Sequence, residues 1–193
     1  MSAYTNLQSD FEAWNKRTDQ TSRLSSFVSL FETRANRRLR VREMEAEASG
    51  AIDANAQLAL PADWLGTKTL WLEGYEASPL EVTSLESLIA NGPATGVATQ
   101  YAVRDGFWQF NGTGTVLGVY WKTIPSLATN GDNWLSAKAY DAYLFGALAE
   151  AAIDSRDKEA AAEWWGRCDA ALAELTGNDM RDRYSGALIA RKR

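Results

Sequence analysis

Leu117-Gly118-Val119-Tyr120-Trp121-Lys122-Thr123-Ile124-Pro125-Ser126-Leu127, followed by Ala128-Thr129-Asn130-Gly131-Asp132-Asn133-Trp134-Leu135 and an apolar run to Ala152, decides how this chain folds. Val116 to Lys122 is rich in β-branched and aromatic residues, and Pro125 ends the run. Thr129 to Asp132 has the composition of a turn, and Asn133 is a strong helix N-cap. Beyond it Tyr140, Leu144, Ala147, Leu148 and Ala151 recur at helical spacing, predicting one helix from Trp134 to about Ile153. Sheet therefore gives way to packed helix at this point.

The same reading extends in both directions. Leu7, Phe11 and Trp14 are spaced for a short amphipathic helix, and Thr18 to Ser22 supplies caps for a second. From Leu24 that second helix places Phe27, Val28, Phe31, Ala35 and Leu39 on one stripe, with Arg34, Arg37, Arg38, Arg40 and Arg42 on its flanks and back. It is expected to fade near Ala48 to Gly50. Short β-prone runs follow at Gln57–Leu60, Lys68–Leu72, Leu80–Val82, Tyr101–Val103, Phe107–Phe110 and Val116–Lys122. Asp105-Gly106 is a two-residue hairpin signal, because both central residues of a type I′ turn need positive φ. Ser84 to Ala90 reads as one short helix, stopped by Asn91-Gly92-Pro93. A fourth bundle helix is expected from about Lys158 to Leu175, closed by Gly177, with small alanines allowing close approach to the third.

The expected fold is α+β and mainly α, a bundle of about four helices with a small inserted β-rich lobe. Residues 1–50 would form the first bundle helices, 51–128 the lobe, 129–177 a helical hairpin, and 178–193 a flexible basic tail. With 193 residues and 46% hydrophobic content the chain can bury a sizeable core. Its net charge of −5 gives no general bias toward nucleic acid. No leader and no membrane-length apolar run is apparent, so a soluble protein made in a reducing cytoplasm is expected. The lone Cys168 sits in a helical pattern and reads as a buried small hydrophobe.

Chemistry is the most restricted property. A chain without histidine lacks the commonest general base and metal ligand, and every Ser-His-Asp or Cys-His arrangement. Glu43, Glu45 and Glu47 lie close enough in sequence for a carboxylate pair, but at helical spacing they read as a solvated face. Gly112-Thr113-Gly114 lacks the lysine of a phosphate loop and reads as a connection between strands. No enzyme activity, cofactor or metal is expected.

Eight tryptophans stand out. At least two of Trp134, Trp164 and Trp165 should be core, and one of Tyr120 and Trp121 must point out of the sheet. Trp71, Trp108 and Trp121 are candidates for exposed aromatics, fitting a protein interface better than a sugar site. The arginine stripe Arg34, Arg37, Arg38 and Arg42 has three readings: pairing with acidic residues of a neighbouring subunit, a solvated face, or contact with DNA in a channel.

The Tyr120–Leu127 block, Asn133-Trp134-Leu135, Leu60-Pro61-Ala62-Asp63-Trp64, Pro79-Leu80-Glu81-Val82-Thr83 and Tyr143-Leu144-Phe145-Gly146-Ala147-Leu148 resemble the head-to-tail adaptor proteins of tailed bacteriophages, of the tail tubular protein A kind. The resemblance covers about residues 20 to 176. It implies a structural virion protein at the head–tail junction, assembling as a dodecameric ring below the portal. That ring would extend the DNA channel for genome retention and ejection, without sequence-specific DNA binding or membrane contact. Its partners would be the portal, tail or nozzle proteins, and further copies of itself. The tail residues Arg181, Arg183, Tyr184, Leu188, Ile189, Arg191, Lys192 and Arg193 would reach the portal, and the aromatic lobe would face the tail. The reading from a different class is a carbohydrate- or cell-wall-binding tail component using Trp71, Trp108 or Trp121. A carboxylate-dependent lytic enzyme is a third.

Overall fold

The structure, a computed structural model, describes residues 2–91 and 96–184. The fold is α+β and mainly α. Its described residues fall into two compact units, divided between Glu43 and Met44 and again between Thr123 and Ile124.

The helical unit contains α1 (Ala3–Asn15), α2 (Leu24–Arg38), the short α4 (Leu127–Asn130) and α5 (Trp134–Lys138), α6 (Tyr140–Asp154) and α7 (Lys158–Tyr184). A 3₁₀ turn over Thr18–Arg23 leads into α2, so the polar residues there form the turn and do not cap the helix. The expected stripe of α2 is buried, with Phe27, Val28, Phe31, Ala35 and Leu39 all inside. Phe31 meets Tyr143 of α6 edge-on at 4.9 Å between ring centroids, and Gly146 lies where any Cβ would collide with Phe31. The glycine thus sets how closely α2 and α6 approach.

The β-rich unit holds two sheets. One has the order β1 (Glu45–Ala51), β7 (Thr115–Lys122), β3 (Trp64–Leu72); the other β2 (Gln57–Ala59), β6 (Phe107–Phe110), β5 (Gln100–Arg104), β4 (Glu81–Val82). Helix α3 (Leu85–Asn91) packs near β5. The β5–β6 hairpin turns at Asp105 and Gly106, whose φ values of 42° and 85° are the positive pair that a type I′ turn requires. Leu70, Leu72, Trp108, Phe110, Val116 and Tyr120 make up most of this unit's core.

Three expectations are corrected. Helix two stops at Arg38, and Glu45–Ala51 is strand β1. The alternation Glu45, Ala46, Glu47, Ala48 has period 2, putting Ala46 and Ala48 opposite Tyr120 and Gly118 on β7. The glutamates are therefore not a helical carboxylate face. The helix expected from Trp134 breaks at Ala139, whose φ of −146° and ψ of 62° are not helical; Tyr140 restarts it, its hydroxyl donating to Asp10 Oδ2 at 2.6 Å. Finally, Gly177 does not cap α7, which continues helical through Asn178 to Tyr184.

The tryptophan expectations also change. Trp134, Trp164 and Trp165 are each half-buried, because they lie on helix flanks: Trp164 stacks on Phe145, and Trp165 lies beneath Arg34. Trp108 is no exposed candidate. It is 1% exposed, and its Nε1–H donates to Thr67 Oγ1 at 2.7 Å, satisfying the indole in the core.

Candidate interaction surfaces

Asn133 organises the return of the chain into the helical unit. Its Oδ1 accepts from the Ser136 N–H at 2.8 Å, while the Ser136 hydroxyl closes the reciprocal box on the Asn133 backbone. Its Nδ2 donates to Pro125 O and to the Tyr143 hydroxyl, at 2.7 and 2.6 Å. Tyr143 in turn donates to Glu32 Oε1 at 2.9 Å, and that oxygen also accepts the Leu127 N–H at 2.7 Å. One turn further along α2, Asn36 Oδ1 accepts the Ile124 N–H at 2.9 Å. Two α2 side chains at i and i+4 thus hold the backbone of residues 124 and 127. Burial pushes the Glu32 carboxyl above its ordinary range, although both hydrogen bonds favour its charged form. Burial and the adjacent Glu32 carboxylate likewise push the Tyr143 hydroxyl far up.

The arginine stripe runs along α2 and just past it. Arg23 pairs with Asp154, and Arg38 with Asp169. Arg34 Nε lies 2.9 Å from Glu150 Oε1 as an ion pair without hydrogen-bond alignment, its guanidinium over the Trp165 ring at 4.5 Å. Arg42 reaches Asp179 at 2.7 Å and Asp182 at 2.9 Å. Burial would raise the Asp179 carboxyl, but hydrogen bonds from Arg42 and Arg183 overcome it and hold the group below the usual range. Arg34, Arg38 and Arg42 are therefore engaged within the chain, fastening α2 and the segment after it to α6 and α7. None of the three sequence readings included that arrangement, because the acids lie more than a hundred residues away. Arg37 is exposed and has no carboxylate partner among the described residues. It lines a cavity of about 250 Å³ with Arg34, Arg38, Trp165 and Asp169.

At the end of α7, Arg181 donates to Asn178 Oδ1 and Arg183 to Asp179 Oδ2, both at 2.7 Å. Leu188, Ile189, Arg191, Lys192, Arg193 and the Tyr184 side chain lie outside the described residues.

The β1-β7-β3 sheet has one face in the core and the other open. Register places Ser49, Leu117 and Trp71 side by side on the open face, then Glu47, Val119 and Thr69, then Glu45 and Trp121. Trp71 and Trp121 are both half-buried there, and Lys68 Nζ pairs with Glu45 at 2.8 Å while lying over the Trp121 ring. A hollow of about 240 Å³ is bounded by Glu47, Ser49, Trp71, Leu117 and Val119. It is an apolar stripe with a carboxylate edge, and no catalytic constellation accompanies it. Among the described residues no cluster of acids or cysteine is placed to hold a metal ion, and no helix is long and apolar enough to cross a membrane. Cys168 is buried, and burial pushes its thiol up to about 12.

The family model described as SU10 adaptor protein matches residues 2–191. The chain belongs to this phage adaptor family. A search of curated proteins gave no match. Membership makes the adaptor a structural component of the virion, and it accounts for a molecule whose charged groups are spent on fastening helices and whose open surfaces are suited to protein contact.

Proposed function

We propose that this adaptor joins the portal to the tail as a ring, of twelve copies by the family resemblance, extending the DNA channel through which the genome is retained and ejected. The observation that carries the reading is the family match along nearly the whole chain. The helical unit, tied together by the ion pairs of α2, would form the wall of the ring. The C-terminal residues from Arg181 would contact the portal, and the open sheet face bearing Trp71 and Trp121 would meet a tail or nozzle protein. DNA would pass without sequence-specific contacts. Synthesis would take place in the host cytoplasm.

The test is mass photometry with negative-stain imaging of the chain alone and mixed with the portal ring of the same genome. A second ring of defined mass supports the proposal; bare portal rings across a range of salt concentrations would refute it. The wall-binding alternative draws on Trp71 and Trp121 sharing a face with Glu47 and Ser49. Sedimentation with purified peptidoglycan, lost on Trp71→Ala, would establish it, and no sedimentation would remove it.

A further inference from the structure

We infer that the cavity beside Arg37 receives the outer face of α7 from a second copy of this chain, a contact that rests on the ring reading above. Three guanidinium groups line the cavity, those of Arg34, Arg37 and Arg38. Glu150 and Asp169 neutralise two of them. The third, Arg37, leaves the pocket one positive charge in excess, presented to solvent. On the same face of α2, at i, i+4 and i+7, stand Leu30, Arg34 and Arg37, and Leu30 is 51% exposed. An apolar side chain and a spare cation share one helix face.

The face that complements it is on α7. Ala162, Gly166, Ala170 and Ala173 recur at helical spacing and are all exposed. A Cβ on Gly166 would meet nothing within 4 Å, so no contact inside the chain demands glycine there. Glycine within an exposed helix is destabilising compared with alanine, and the bare backbone it leaves there lets another body approach closely. Exposed Glu159, Glu163 and Glu174 flank the small residues, supplying the negative charge that Arg37 lacks a partner for. Glu163 already holds Arg167, whereas Glu159 and Glu174 have no cationic partner among the described residues. A large, positive face thus matches a small, negative one. Because the two patches differ, their union is heterologous, and repetition of such a contact closes a ring when the rotation permits. The chain's net charge of −5 favours this occupant over DNA.

Arg37→Glu and, separately, Gly166→Leu test the contact in the full chain mixed with portal rings, with the unsubstituted chain in parallel. At a concentration where the unsubstituted chain saturates the portal, each variant is expected to lower ring occupancy at least tenfold, while Gly166→Leu melts no lower than the parent. Full rings from both variants would overturn the contact and leave the ring reading standing. If the unsubstituted chain adds no ring, the ring reading falls, and this contact with it.

Discussion

Arg42 Nε donates to Asp179 Oδ1 at 2.7 Å, tying the segment that follows α2 to the penultimate turn of α7. Asp179 is 7% exposed and also accepts from Arg183, whereas Arg42 and Arg183 remain partly open to water. Removing the aspartate would leave arginines that can rehydrate, so Asp179→Ala should cost about 1.5 kcal/mol, the low end for a charged hydrogen-bonded site. The loss should be local. Amide exchange over residues 176–183 is expected to accelerate more than exchange in α6, and unchanged exchange there would show that α7 does not need this tie.

The same carboxyl sets an acid limit. Its folded-state value is held below that of the unfolded chain, so the stability it contributes is present above the ordinary carboxylate range and is lost as pH falls through the depressed value. Helicity of the end of α7 should decline in that window, and Asp179→Asn should remove the dependence.

Glu32 has the opposite sign. Burial raises its folded-state value, so the folded chain binds that proton more tightly than the unfolded chain, and stability falls as pH rises through the raised value. Glu32→Gln keeps an oxygen for the Leu127 N–H and the Tyr143 hydroxyl but never ionises. The variant should melt about 2 °C or more above the parent at pH 8 and close to it at pH 4, on the scale that about 1 kcal/mol moves a chain of this length by 2–4 °C. A lower melting temperature at pH 8 would mean that the charged hydrogen bonds outweigh desolvation.

Two helical glycines should respond in opposite directions. A Cβ at Gly146 would fall 2.2 Å from Phe31, whereas one at Gly166 would meet nothing. Gly146→Ala is expected to cost about 1–3 kcal/mol by overpacking, and Gly166→Ala to gain about 0.5–1 kcal/mol through helix propensity. Urea titrations would measure both, and a stabilising Gly146→Ala would contradict the close α2–α6 approach.

The tryptophans separate stability from binding. Trp108→Ala removes a buried ring and the shorter of the two indole hydrogen bonds to the Thr67 hydroxyl, at a cost of about 3–5 kcal/mol to the β-rich unit. On the proposed reading, Trp71→Ala should leave that unit folded while reducing the association of the adaptor with tail proteins. Near-ultraviolet circular dichroism combined with a pull-down of tail components would distinguish the two.

The long periodic stretches were readable because their own residues determine them. The stripe from Phe27 to Leu39 and the Asp105-Gly106 turn each need nothing beyond local spacing or positive φ. What escaped depends on distant partners. Strand β1 is composed of Glu, Ala, Ser and Gly, residues of low β propensity, and becomes a strand because β7 pairs with all seven of its positions. The continuation of α7 past Gly177 is secured by Arg42, and the break at Ala139 carries neither proline nor glycine to announce it. The arginine stripe was visible as a pattern, but its acidic partners on α6 and α7 were not. Nor could spacing identify Trp108 as core, since its one polar atom is satisfied by Thr67 across the fold.

Glu45 stands directly opposite Trp121 on the antiparallel neighbours β1 and β7, so the two ends of the β-rich unit emerge about 5 Å apart. For the helices, an eighty-residue insertion is then equivalent in closure entropy to a short loop. Residues 44–123 thereby form a self-contained insert: its length and sequence can change without altering the separation of the two chain ends that the helices must join.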